Sequence, residues 1–302
     1  MRWRGQRQST NVEDRRGRGG GLGGLGGMRI PGGTRRGGGI GLGTILIGLV
    51  VAWLLGINPL ALLGVIDGTG PGGQMVERQQ AGGTGAPIED EMGQFVSVVL
   101  ASTEDTWSAV FAQAGARYRA PRLVLYTGST PTACGMGSAA SGPFYCPADE
   151  SVYVDLGFYQ MLRQRFGASG DLAEAYVIAH EVGHHVQNLL GTMQKMDQAR
   201  RQLGERDYNQ LSIRLELQAD CFAGIWTNHS QQAKGWLEAG DIEEAMKAAA
   251  AVGDDNIMKR TQGVVVPEAF THGSSEQRVR WFRAGAQSGR IEQCNTFGAS
   301  SL

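Results

Sequence analysis

The stretch Ala175-Tyr176-Val177-Ile178-Ala179-His180-Glu181-Val182-Gly183-His184-His185-Val186-Gln187 decides how this chain is read. Its apolar residues continue in both directions without a turn signal, so one helix is expected from Leu172 to Leu190, closed by Gly191. On a helix, positions i and i+4 lie on one face about 6 Å apart, and both imidazoles of His180 and His184 can reach one metal ion. Glu181 then projects near the open coordination position, where it can take a proton from water. The apolar surroundings fit poorly with two surface histidines meeting by accident.

A third ligand has to come from elsewhere. An H-E-x-x-H-x-x-G-x-x-H pattern would need Gly at position 187 and His at position 190, but the chain has Gln187 and Leu190. A carboxylate on a later helix is the other solution, and Glu216-Leu217-Gln218-Ala219-Asp220 fits on an expected helix from Leu211 to His229. Glu216 would bind the metal. Asp220, one turn on, would accept from the non-ligating nitrogen of a histidine and fix its tautomer. Glu205, His229 and His272 are the rivals to Glu216. His185 sits about 100° around the helix from His184, which suits packing or a surface role. His229 is expected to be solvated. His272, before the flexible Gly273, is the candidate donor to an oxyanion, with a turn-stabilising role as its alternative.

Around this centre the pattern is α+β. Arg122–Tyr126 and Ser151–Leu156 read as strands flanking a Gly/Ser-rich loop, a small antiparallel sheet ahead of a mostly helical C-terminal half. Residues 89–302 form one domain, in which the helix at Met92–Leu100 restarts at Thr103-Glu104-Asp105-Thr106.

The N-terminal part differs in composition. Residues 1–66 carry nine Arg against Glu13 and Asp14. Residues 1–39, Arg/Gly-rich with little to bury, are expected to be a disordered cytoplasmic arm. Ile40–Ile57 is eighteen uncharged residues rich in Leu, Ile and Val, followed by Asn58-Pro59 and Leu60–Ile66. As a helix its length is about 27 Å, near a bilayer core, so 40–66 is expected to be a single transmembrane anchor. Residues 67–88 follow as a Gly-rich linker. Arg before the anchor implies an inside N-terminus and an extracytoplasmic domain at the bacterial cytoplasmic membrane. The acidic balance of the remainder excludes a bulk nucleic-acid binder.

Cys134, Cys146, Cys221 and Cys294 all follow the anchor, with no Cys-x-x-Cys pair. Cys134 and Cys146 bracket the Gly/Ser-rich loop and are the favoured pair, leaving Cys221 with Cys294; buried free thiols are the alternative.

Gly142-Pro143-Phe144-Tyr145-Cys146-Pro147, the stretch around His180–His184, Glu216–Ala223 and Thr271-His272-Gly273-Ser274-Ser275 together resemble the bacterial neutral zinc metallopeptidase family over about residues 90–297. The arm and anchor are similar to that family too. More distantly, the order of motifs resembles membrane-associated gluzincins such as the CAAX prenyl proteases. That resemblance implies a rim strand at Ser151–Leu156 pairing with substrate backbone, and an ordering role for Arg278 through a carboxylate. The combined expectation is a gluzincin-like zincin domain with one Zn2+ per chain, held by His180, His184 and Glu216. It would be a membrane-anchored endopeptidase cutting a peptide or protein substrate by zinc-activated water, with Glu181 as general base. A zinc-holding scaffold or chaperone of the cell envelope is the alternative. Substrate preference and oligomeric state are not specified by any of these motifs.

Overall fold

Residues 1–17, 88 and 90–302 are described by the computed structural model. The proposed anchor at 40–66, the arm from residue 18, and nearly all of the linker lie outside the described residues. Strand β1 is Val12–Asp14, helix α1 Glu91–Gln113, and strand β2 Arg122–Tyr126. A hairpin of β3 (Ser129–Thr132) and β4 (Gly135–Ser138) leads to β5 (Phe144–Cys146) and β6 (Ser151–Asp155). Helices α2 (Gly157–Phe166), α3 (Asp171–Leu189), α4 (Thr192–Gln202) and α5 (Glu205–Lys234) follow. The chain then runs through α6 (Asp241–Ala251), α7 (Asp254–Thr261) and α8 (Ser275–Ser288). The result is α+β, mostly helical with a small sheet.

The sheet is mixed, a correction to the antiparallel one expected. Its order is β1-β2-β6-β5, with β1, β2 and β6 parallel and only β5 antiparallel to its neighbour. Parallel pairing of β2 and β6 needs a long connection, and the expected Gly/Ser loop supplies it by folding into the β3–β4 hairpin and β5. Side chains alternate as the pleat requires. Leu123, Leu125, Val152 and Val154 join the main core, while Val124, Tyr126 and Tyr153 face a smaller cluster with Phe144. Strand β6 is hydrogen-bonded on both sides, so it is not the rim strand that resemblance implied; β5 is the edge.

A close crossing of α5 and α8 sets the C-terminal half. Gly224 on α5 and Gly285 on α8 lie against the other helix's backbone, where any Cβ would collide with Phe282 or Cys221 carbonyl oxygens. The Cys221–Cys294 disulfide ties α5 to the turn after α8, and Cys134–Cys146 ties the β3–β4 hairpin to β5. Helix α1 does not restart at Thr103; it runs through, with Trp107 fully buried against Phe222.

The expectation of disorder fails for residues 1–17. Trp3 is 5% exposed and packs edge-on against Phe95 of α1. Ser9 and Ser97 exchange hydrogen bonds, and β1 pairs with β2 from Val12↔Leu123 to Asp14↔Leu125. The Met1 α-amino group lies 3.2 Å from Asp241 and from Glu238. Among the described arginines of this segment, Arg7 pairs with Glu104 and Asp105, and Arg16 with Asp14 of its own segment and Asp90. The composition argument failed because two large apolar residues and a three-residue strand suffice when a preformed surface receives them.

This pairing has a topological consequence. Residues 12–14 and 122–126 are neighbours in one sheet, so they lie on the same side of any bilayer. A single crossing between them, with the N-terminus inside and the domain outside, is incompatible with the sheet. Among the described residues, no helix is long and apolar enough to cross a membrane.

Candidate active site

Helix α3 is buried along nearly its whole length, from Leu172 to Gln187. It crosses α5 at Gly183, where an added Cβ would lie 3.0 Å from the Ala219 carbonyl oxygen. That small residue, one of the two unspecified positions of H-E-x-x-H, lets the helices approach closely enough for Glu216 to face both histidines. His180 Nε2 lies 3.2 Å from Glu216 Oε2, and His184 Nε2 lies 3.5 Å from Oε1. One ligand atom from each of His180, His184 and Glu216 falls within 4.8 Å of the others.

Each histidine is held from behind. His180 Nδ1 donates to Asp220 Oδ1 at 2.8 Å, and His184 Nδ1 donates to Gln187 Oε1 at 2.8 Å. With Nδ1 of both rings used as donors, both Nε2 atoms are directed to the cluster, where they can bind a metal once deprotonated. Asp220 is fixed in turn by Arg278, which donates to it from Nε at 2.8 Å and from a terminal nitrogen at 2.9 Å, and by the Tyr176 hydroxyl. Gln187 is fixed by donating to the Leu215 carbonyl at 2.7 Å.

The electrostatics favour a cation. Burial lowers the His180 pKa, but Asp220 and Glu216 outweigh it and hold the ring at about 10. Burial pushes Glu216 up, yet the His184 charge and bonds from both imidazoles bring it well below the usual carboxylate range. Burial likewise raises Asp220, and the Arg278 guanidinium with His180 reverses it to below the usual range. Glu181 differs: burial dominates over both histidines and its carboxyl is raised.

His272 lines the same cavity as His180, Glu181, His184 and Glu216. Its Nδ1 is 3.0 Å from Asp254 Oδ1, while Asp254 Oδ2 accepts from the backbone N–H groups of Thr271, His272 and Gly273. Burial lowers the His272 pKa, and Asp254 and Glu216 overcome that and raise it. Of the rivals for third ligand, Glu205 is exposed at the start of α5 and His229 Nε2 donates to the Gly289 carbonyl at 2.8 Å rather than being simply solvated. Neither belongs to the cluster. His185 is fully buried, its Nε2 donating to the Arg119 carbonyl at 2.6 Å and its Nδ1 accepting from Tyr145 of β5 at 2.9 Å.

Three contributors escaped the motif reading. Gln187 had served only to exclude an extended histidine motif, although its i+3 spacing from His184 puts the two side chains in reach. Tyr176 looked like core. Asp254 offers no signal in the sequence, since its 18-residue separation from His272 is closed only by the fold.

Two imidazoles and one carboxylate are a donor set suited to zinc, and they meet at a buried point that also holds a second carboxylate and a histidine. The chain belongs to the family described as "Putative neutral zinc metallopeptidase", whose model matches residues 1–297 and so includes the segment that forms β1. It is 50% identical over 302 residues to "Uncharacterized protein YpfJ" of Escherichia coli strain K12, covering 99% of this chain and all of the relative. It is 41% identical over 266 residues to "Uncharacterized protein Rv2575" of Mycobacterium tuberculosis strain H37Rv, covering 83% of this chain and 86% of that protein. No solved structure matches the chain.

Proposed function

We propose that the protein is a zinc-dependent endopeptidase of the gluzincin type, with His180, His184 and Glu216 as ligands. The observation that carries this reading is the convergence of those three ligand atoms within 4.8 Å on the wall of a cavity of about 570 Å³ that Glu181 and His272 also line. A zinc ion bound there supplies the Lewis acidity that makes water nucleophilic near neutral pH.

The chain's own groups do the rest. Glu181, its carboxyl raised by burial, takes the proton of the attacking water and delivers it to the leaving amine. His272 is anchored through Nδ1 by Asp254, which leaves Nε2 to donate toward the substrate carbonyl oxygen as negative charge develops on it. Asp220 and Gln187 keep the two ligand rings in the tautomer that offers Nε2. Zinc-loaded protein is expected to hydrolyse unstructured peptides, to stop on chelation, and to recover with added zinc. Absence of hydrolysis by protein holding about one zinc per chain would refute the reading.

Two disulfides support an oxidising compartment for the domain. Because β1 belongs to the same sheet, residues 1–17 share that compartment. Single cysteines introduced at the exposed positions Gln8 and Ser301 are therefore expected to react alike with a membrane-impermeant maleimide on intact cells. Labelling of one and protection of the other would restore the single-crossing topology.

A further inference from the structure

Helix α2 presents apolar side chains to the cavity as well as to the core. Tyr159 and Leu162 are fully buried in the core, and Gln160, Arg163 and Gln164 face solvent. Phe158 and Phe166, which also pack against the core, and Met161 are half-buried and line the cavity that holds Glu181 and the two histidines. Across from them, α7 contributes Ile257. The two helices are strapped together where Arg260 of α7 donates to the Arg165 carbonyl at 2.6 Å and lies over the Phe166 ring, 5.6 Å from its centroid. Helix α7 also begins with Asp254, the residue that holds His272, so this wall and the oxyanion candidate are joined by a direct hydrogen bond.

The charge distribution along the cavity is sharply divided. Among the described residues that line it, the carboxyl, imidazole and guanidinium groups are those of Glu181, Glu216, His180, His184, His272 and Arg278, all members of the centre described above. The side chains that α2 and α7 give to the cavity, Phe158, Met161, Phe166 and Ile257, are apolar, and the Arg260 guanidinium beside them is engaged by the Arg165 carbonyl and the Phe166 ring. A charged side chain entering there would lose its hydration against an apolar lining, whereas a large apolar one would cover the half-exposed Phe158, Met161 and Phe166.

We propose that the α2–α7 chamber is the specificity subsite of the peptidase, taking a bulky aliphatic or aromatic side chain next to the scissile bond and refusing a charged one. Phe158, Met161 and Ile257 are its specificity-determining residues. This rests on the reading of the site as a peptidase, and the substrate class it names is peptide segments that present Leu, Met or Phe in extended, accessible form.

The test uses the full zinc-loaded chain and a set of peptides differing at one position: Leu, Phe, Met, Ala, Asp and Lys. Cleavage sites are read by mass spectrometry and rates by initial velocity. The large apolar residues should exceed Ala by about 10–200-fold in kcat/KM, with Asp and Lys below Ala. Met161→Arg, whose folding is checked by zinc content and melting temperature, should raise the rate for Asp relative to Leu. Should Met161→Arg fail to fold, Ile257→Ala serves instead, with a reduced preference for Phe over Ala as its expected result. A flat profile, a preference for charged residues, or an unchanged profile in the folded variant would overturn the subsite. Binding of the same peptides to Glu181→Gln protein, followed by fluorescence anisotropy, separates the two levels of the argument. If nothing is hydrolysed but binding still ranks Leu, Met and Phe above Asp and Lys, the chamber stands and the peptidase reading falls. If binding shows no such order, the chamber falls too.

Discussion

Glu181→Gln protein should retain its zinc and its melting temperature while losing peptide hydrolysis by about 10²–10⁴-fold in kcat, the range typical of a removed general base. The substitution keeps nearly the same volume and hydrogen-bonding reach but removes the ability to accept a proton. Zinc should stay because Glu181 is not part of the ligand cluster formed by His180, His184 and Glu216. Stability should not fall, because burial already works against the Glu181 charge, and a neutral amide is no costlier to bury than a carboxylate raised by its surroundings. At about 1.36 kcal/mol per decade, the expected loss corresponds to roughly 3–5 kcal/mol of transition-state stabilisation. If KM stays constant while kcat falls, the lost interaction belongs to the transition state alone. Loss of zinc would instead make Glu181 a ligand, and unchanged turnover would place the proton acceptor elsewhere.

The centre of the site was legible because its spacing is local. His180 and His184 are one helical turn apart, and Glu216 with Asp220 repeat that spacing on a second helix; α-helical geometry alone puts each pair on one face. What brought the pairs together, the Gly183–Ala219 crossing, is visible only in three dimensions, although a glycine in a buried helix hints at a close neighbour. Non-local features were lost. Asp254 reaches His272 through a turn whose three backbone N–H groups it collects, and no periodicity records such a contact.

The same distinction explains the misread N-terminal segment and the missed helices. Composition judges whether a segment can form a core of its own, and residues 1–17 cannot. They need only join one, through Trp3 against Phe95 and a strand that extends the sheet at β2. Helices α2 and α7 escaped notice because they are short, and α7 carries only Ile257 and Met258 as apolar residues, too few to establish a period. The sheet's parallel pairing was likewise invisible, since strand propensity does not encode direction, and only the long β2–β6 connection argued for it.

Glu216→Ala should strip the protein of most of its zinc, and the loss should exceed that caused by either residue behind the histidines. Asp220→Asn and Gln187→Ala leave all three ligand atoms in the chain and act on the metal through the tautomer and orientation of His180 and His184, changes that cost about 10–100-fold in metal affinity, with Asp220→Asn also weakening the pair with buried Arg278. Removing Glu216 takes away one ligand and the only negative charge lying between the two Nε2 atoms, at 3.2 Å from one and 3.5 Å from the other. Proton release supplies an independent readout. In metal-free protein His180 is buried, which disfavours its charge, but Asp220 and Glu216 prevail and it holds its proton up to about pH 10. A metal ion must displace that proton, so zinc affinity should rise with pH across the neutral range and uptake at pH 7 should release protons measurably by calorimetry in buffers of different ionisation enthalpy. In Glu216→Ala protein one source of the raised pKa is gone, so fewer protons should be released by whatever metal still binds. Full zinc occupancy with unchanged proton release in this variant would remove Glu216 from the ligand set and leave His180 and His184 in need of another partner.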